Sequence, residues 1–146
     1  MLGRSIRTVS RRQFTSTAAL AALSAAIVPS RVLGQAAPSN KLNLAAIGIG
    51  GMGASNLKAC AGENIIALCD VDQVYSAKTR ALYPKATFYT DYRAMLEKEK
   101  GIEAVIVATP HHTHAVITMA VLQAGKHVFC QKPLTHTVFE ARKITE

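Results

Sequence analysis

Three groups of residues in this chain of 146 have the types and the spacing to do chemistry. The first is Gly48-Ile49-Gly50-Gly51-Met52-Gly53, which fits G-x-G-x-x-G, with Asp70 following 22 residues after Gly48. That spacing serves recognition of a dinucleotide. Glycines let the backbone turn tightly and approach a pyrophosphate, a helix N-terminus stabilises the phosphate charge, and an acid accepts from a ribose diol. The candidate contacts are therefore Gly48, Gly50, Gly51, Met52, Gly53 and Asp70. A carboxylate at position 70 would repel a 2′-phosphate, and the neighbours Val71 and Asp72 supply no basic residue to receive one, so NAD is favoured over NADP. A plain glycine turn with a capping Asp would show the same letters; the distinguishing context is a strand before and a helix after.

The second group is Ala108-Thr109-Pro110-His111-His112-Thr113-His114, and the third is Gln131-Lys132-Pro133. His111 and His114 are three apart and could face together. No Cys, Asp or Glu adjoins them to complete a metal site, so no metal is expected. At a helix N-terminus imidazoles stay neutral and serve as polar contacts to a ligand. Lys132 follows an apolar run and precedes Pro133, which holds it at the edge of a sheet where ligands gather; a solvated loop lysine is the alternative. Cys60, Cys69 and Cys130 lack the CxxC spacing of a zinc or redox site, and Cys69 and Cys130 lie in apolar runs that would bury them.

Positioning these groups requires a particular order of elements. Residues 42–47, 65–69, 86–89, 103–109 and 127–131 read as strands. Helices are expected over 54–61, 72–82 with Asp72 as N-cap, from Thr90 or Asp91 to about 100, over 112–124, and from Thr137 onward. In the fourth helix Val116, Ile117, Ala120, Val121 and Ala124 are expected to share the buried face. Strands that are nearly continuous apolar runs, alternating with helices, specify a parallel sheet covered on both faces. The fold class is α/β, a Rossmann-like doubly wound sheet, and all three chemical groups fall at the carboxyl ends of its strands, where ligands of such folds bind.

Seventeen basic against nine acidic residues give a pI near 9.7. Five of the basic residues, Arg4, Arg7, Arg11, Arg12 and Arg31, sit in residues 1–37, which contain no acid. The remainder is only mildly basic, which argues against a nucleic-acid partner. Residues 1–37 have the layout of an export signal: a basic segment ending in Arg11-Arg12-Gln13-Phe14, a mild apolar run over 15–28, and small residues with cleavage expected within 34–37. The paired arginines followed by Phe resemble the twin-arginine type, which implies passage through that export machinery to the periplasm. The run is too short to span a bilayer. The chain thus divides into a signal, 1–37, and one domain, 38–146.

The glycine fingerprint, the Thr109-Pro110 stretch reaching His114, and Lys132-Pro133 stand in the order found in the Gfo/Idh/MocA oxidoreductases, and residues 41–146 closely resemble that family. Two positions depart from its pattern: His111 stands where Asn is usual and Gln131 where Glu is usual, which removes a negative charge beside Lys132. The resemblance implies that Thr109, Pro110 and His114 line the nicotinamide side of the cofactor site, with Gln131 and Lys132 beside it. It also implies that Lys132 is catalytic, approaching the nicotinamide ribose and the substrate hydroxyl. The activity implied is NAD(P)-dependent hydride transfer with a sugar, cyclitol or related polyol, or else glycoside cleavage using tightly held NAD. A noncatalytic dinucleotide-binding module is the reading from another class. Members carry a second α/β domain that supplies the substrate pocket, a base and the subunit interface. The chain reaches Glu146 before the last strand of the sheet and before that domain. This portion is therefore expected to bind dinucleotide without turnover, and to form homo-oligomers only together with that domain.

Overall fold

The computed structural model of the protein describes residues 40–146; the expected export signal lies outside the described residues. The elements run β1 (Asn43–Ile47), α1 (Gly51–Ala59), β2 (Asn64–Cys69), α2 (Ala77–Leu82), β3 (Thr87–Tyr89), α3 (Tyr92–Lys98), β4 (Ala104–Val107), α4 (His111–Gln123), β5 (His127–Cys130) and α5 (Val138–Thr145). The five strands form one sheet in the order β3-β2-β1-β4-β5, with every pair parallel. The strand order reverses direction at β1, which opens a crevice between the carboxyl ends of β1 and β4.

Strand side chains alternate between faces, so a strand buried on both sides must be apolar throughout. Ala45 and Ile47, Ala67 and Cys69, and Val105 and Val107 face one side, where they pack with Met95 of α3 and Ile117 and Val121 of α4. Ala46, Leu68 and Ile106 face the other side, packed with Ile49 and with Leu57 of α1. Each large fully buried side chain such as Leu57 or Met95 contributes about 1.5–3 kcal/mol. The alanines in the inner strands let the helices lie close to the sheet.

The structure departs from the sequence expectations in three places. Helix α2 begins at Ala77, because the Asp72 carboxylate accepts from the N–H groups of Val74 (3.0 Å) and Tyr75 (2.8 Å) and so caps a preceding turn instead of the helix. On α4 the buried face is His114, Ile117, Thr118 and Val121, while Val116 is 54% exposed. This is the i, i+3, i+4, i+7 spacing, with two polar members that hide it from a search for apolar residues. Helix α1 starts at Gly51, inside the glycine motif. Other ends follow the expectations: Asp91 caps α3 by accepting from Arg93 N–H, and Thr137 and Glu140 form a reciprocal capping box at the start of α5.

All three cysteines are free. Cys69 is buried, and burial, helped by the charges of Asp70 and Asp91, pushes its thiol up to about 12. Cys130 is half-buried, and burial pushes it up as well.

Candidate functional site

The carboxyl ends of β1, β2, β3 and β4 surround a cleft of about 790 Å³. Its floor is the glycine turn. Gly48 has φ +80°, and a Cβ there would stand 2.7 Å from Thr109 N, so the turn lies hard against the chain leaving β4. A Cβ on Gly53 would meet Gly48 O at 1.8 Å; only hydrogen at position 53 lets α1 seat on the turn. Gly51 is exposed on the cleft side, whereas Gly50 is buried beneath the ring of Tyr75, which a Cβ there would strike at 2.1 Å.

Helix α1 opens from Gly50 with no side-chain cap and no acid in its first turn. Its leading residues Gly51 and Met52 line the cleft, so the positive end of the helix is presented there. Beside it, Asp70 Oδ2 accepts from Ile49 N–H (2.8 Å) and Gly50 N–H (3.2 Å), and Oδ1 accepts from Asp72 N–H (2.9 Å). Asp70 therefore shapes the turn while lining the cleft. Each carboxylate oxygen has about two acceptor sites, so Oδ2 is filled and Oδ1 keeps capacity for one hydroxyl donor. A glycine-floored cradle, an uncapped helix start and an acceptor beside them suit a ligand with a diphosphate linked to a ribose.

From β4, Ala108, Thr109, Pro110, His112 and Thr113 form the opposite wall. The Thr113 hydroxyl lies 2.8 Å from both Thr109 Oγ1 and the Pro110 carbonyl, which fixes the first turn of α4. His114 is not in this wall, contrary to expectation. Its ring is 1% exposed, with Nδ1 2.7 Å from Pro133 O and Nε2 2.7 Å from Thr109 O. The imidazole that faces the cleft is His112, while His111 is exposed, its ring 5.7 Å from that of His114. Among the described residues no group of three His, Cys, Asp or Glu could hold a metal ion.

Gln131 and Lys132 also stand outside the cleft lining, one strand further along the sheet. Gln131 Nε2 donates to Asn56 Oδ1 of α1 at 3.1 Å, and Lys132 is exposed.

Sequence reasoning passed over Tyr75, Tyr92 and Arg93, all of which line the cleft. Arg93 pairs with Asp91 at 3.6 Å and lies over the Tyr92 ring, 4.5 Å from its centroid. It gives the cleft a cation that the neighbours of Asp70 do not supply. The signal was available: residues just after β3 are at a carboxyl strand end, where ligands of this fold bind.

Residues 42–146 match the Gfo/Idh/MocA family, described as an oxidoreductase family with an NAD-binding Rossmann fold. The inositol 2-dehydrogenase of Salmonella typhimurium is 32% identical over 108 residues, covering 68% of this chain and 31% of that enzyme. A glycosyl hydrolase family 109 protein of Solibacter usitatus is 31% identical over 150 residues, covering 90% of this chain and 34% of that protein. The crystal structure of myo-inositol 2-dehydrogenase from Lactobacillus plantarum superposes with a TM-score of 0.66 at 28% identity, covering 72% of this chain and 32% of that one. The chain spans about a third of the length of these relatives.

Proposed function

Because the chain belongs to the Gfo/Idh/MocA oxidoreductase family, we propose that residues 38–146 are the NAD-binding portion of an exported oxidoreductase acting on a sugar, cyclitol or related polyol. The observation that carries this reading is the meeting of an uncapped helix start, a glycine-floored turn and the Asp70 carboxylate in one cleft. Gly51 and Met52 would present backbone N–H groups to the pyrophosphate, and Asp70 would accept from the adenosine ribose. Thr109 and Pro110 would border the nicotinamide half. When bound, the nicotinamide supplies the hydride acceptor and donor. Lys132, exposed at the end of β5, has the reach to donate to a substrate oxygen on which negative charge develops. The proton acceptor and the opposing wall of the substrate pocket would belong to a second domain of the kind the longer relatives have room for. Asp70 and Asp72 together in the cleft favour NAD over NADP, the cation lining it, Arg93, being paired with Asp91.

Calorimetric titration of the chain with NAD and NADP tests the binding half, with tighter NAD binding expected. For the catalytic half, Lys132→Ala in a protein that includes the second domain should lower turnover of a polyol panel more than it lowers NAD affinity. Undiminished turnover would remove Lys132 from the chemistry.

The similarity to the Solibacter usitatus glycosyl hydrolase family protein supports a second reading, glycoside cleavage with NAD retained on the protein. Substrate consumption without net cofactor reduction would select it. That match covers 90% of the chain, more than residues 42–146 can account for, and so takes in part of the N-terminal segment. Changing Arg11 and Arg12 together to Lys should trap the protein in the cytoplasm with its leader attached. Unchanged export would point to the general secretory route.

A further inference from the structure

Lys132 is an exposed side chain on a backbone held from both sides. The residue before it, Gln131, is tied to Asn56 of α1, and the residue after it, Pro133, offers its carbonyl to His114 of α4. The second tie has an unusual chemistry. Both nitrogens of the buried His114 ring lie 2.7 Å from backbone carbonyl oxygens, Pro133 O and Thr109 O. A carbonyl only accepts, and a neutral imidazole has one N–H donor and one lone pair. A neutral ring would bond one carbonyl and press a lone pair against the other, and the residue is 1% exposed.

We infer that His114 is a double-donor brace, carrying a hydrogen on each ring nitrogen and tying the chain after β4 to the chain after β5, so that it positions Lys132. Burial of the ring and the start of α4 both disfavour the extra positive charge. The two carbonyl dipoles aimed at the ring, both at the short distance of charge-assisted hydrogen bonds, oppose that effect. His114 is not among the residues lining the cleft; it acts through the Lys132-Pro133 backbone and through Thr109, whose carbonyl it holds. The bearing on Lys132 rests on the oxidoreductase reading; the protonation of the ring does not.

The test uses the chain without cofactor, labelled with ¹⁵N in its five histidines. Ring correlation spectra should show protons on both nitrogens of His114, exchanging slowly, while the exposed His111, His112, His127 and His136 exchange fast. An unprotonated His114 nitrogen would overturn the brace, and this measurement needs no variant to fold. The second arm compares unmodified protein with His114→Gln, which keeps one donor, and His114→Phe, which keeps the volume and no donor. The amide resonances of Thr109 and Lys132 should move in both. NAD affinity should fall by about fivefold in the Phe variant, the worth of about one hydrogen bond. Affinity for ADP-ribose, which needs only the glycine turn and Asp70, should hold. Equal losses for NAD and ADP-ribose would show that His114 serves packing alone. Failure of the unmodified chain to bind either ligand would instead count against the oxidoreductase reading and leave the ring measurement standing.

Discussion

The Nε2 of Gln131 donates to Oδ1 of Asn56 at 3.1 Å, joining the end of β5 to α1 across 75 residues of sequence. The join is incomplete, because Asn56 Nδ2 is buried without a hydrogen-bond partner. A buried donor left unmade costs about 1–3 kcal/mol. Replacing Gln131 with Glu supplies an acceptor toward which the Asn56 amide can turn its Nδ2, and places a carboxylate beside Lys132. Gln131→Glu should therefore raise the thermal midpoint by about 5 °C, and Gln131→Leu should lower it. A midpoint that falls with Glu would show that burying the charge outweighs the new bond.

Asp70 does two things with one carboxylate, so its removal should show two effects. Asp70→Ala strips the acceptor from Ile49 and Gly50 N–H groups and from the cofactor ribose. NAD affinity should drop about tenfold, the equivalent of about 1.4 kcal/mol, with the gap between NAD and NADP narrowing. Amide spectra should show the glycine turn moving before any cofactor is added. A variant with unperturbed turn resonances would contradict the hydrogen bonds described above, and tighter NADP than NAD binding in the unmodified protein would overturn the assignment of Asp70.

Gly53 and Gly62 make a matched pair. A Cβ at Gly53 would overlap Gly48 O at 1.8 Å, whereas one at Gly62 meets nothing within 4 Å. Gly53→Ala should cost about 3 kcal/mol or more, since backbone faces the intruding atom. Gly62→Ala should be neutral or stabilise by about 0.5 kcal/mol through the unfolded chain. Urea denaturation of the two variants side by side measures the difference; similar midpoints would mean that α1 does not seat on the turn as described.

At the start of α5, the Glu140 carboxylate accepts from His136 N–H at 2.6 Å and Thr137 N–H at 2.9 Å, which holds its pKa below the usual carboxylate range. A lowered folded-state pKa means that the cap's contribution is present above the ordinary glutamate pKa and is lost as pH falls through the lowered value. The amide resonances of His136 and Thr137 should titrate with a midpoint below that of an ordinary exposed glutamate, and Glu140→Gln should abolish the titration. A midpoint at or above the ordinary glutamate range would contradict the capping box.

What could be read from the sequence was governed by periodicity. The strands announce themselves because a sheet covered on both faces leaves no polar position in Ala45-Ala46-Ile47 or Val105-Ile106-Val107. The glycine turn was legible because a dinucleotide fingerprint fixes spacing along the chain. The buried face of helix α4 is not legible at Val116 because its stripe includes Thr118 and His114, and the acceptors that meet the His114 ring are brought near only in the folded chain. His114 was assigned to the ligand for the same reason: its two acceptors, Thr109 and Pro133, come from separate strand ends. Tyr75 joins the cleft from a turn, which carries no period from which its direction could be read, and Arg93 joins it from the first turn of α3, on the side away from the buried Met95.

The central strand also dictates an order of assembly. β1 pairs on one side with β2, starting 21 residues away at Asn64, and on the other with β4, whose Ala104 lies opposite Leu44, 60 residues away. Closing the longer loop costs about 0.9 kcal/mol more in chain entropy. By the same measure the neighbouring pairs β1–β2, β2–β3 and β4–β5, at similar short separations, should form before β1–β4, so that the wall carrying Thr109 and Pro110 should dock onto the glycine turn afterwards. The two sides of the cleft then meet late in folding, and a ligand bridging them would slow unfolding more than it speeds folding.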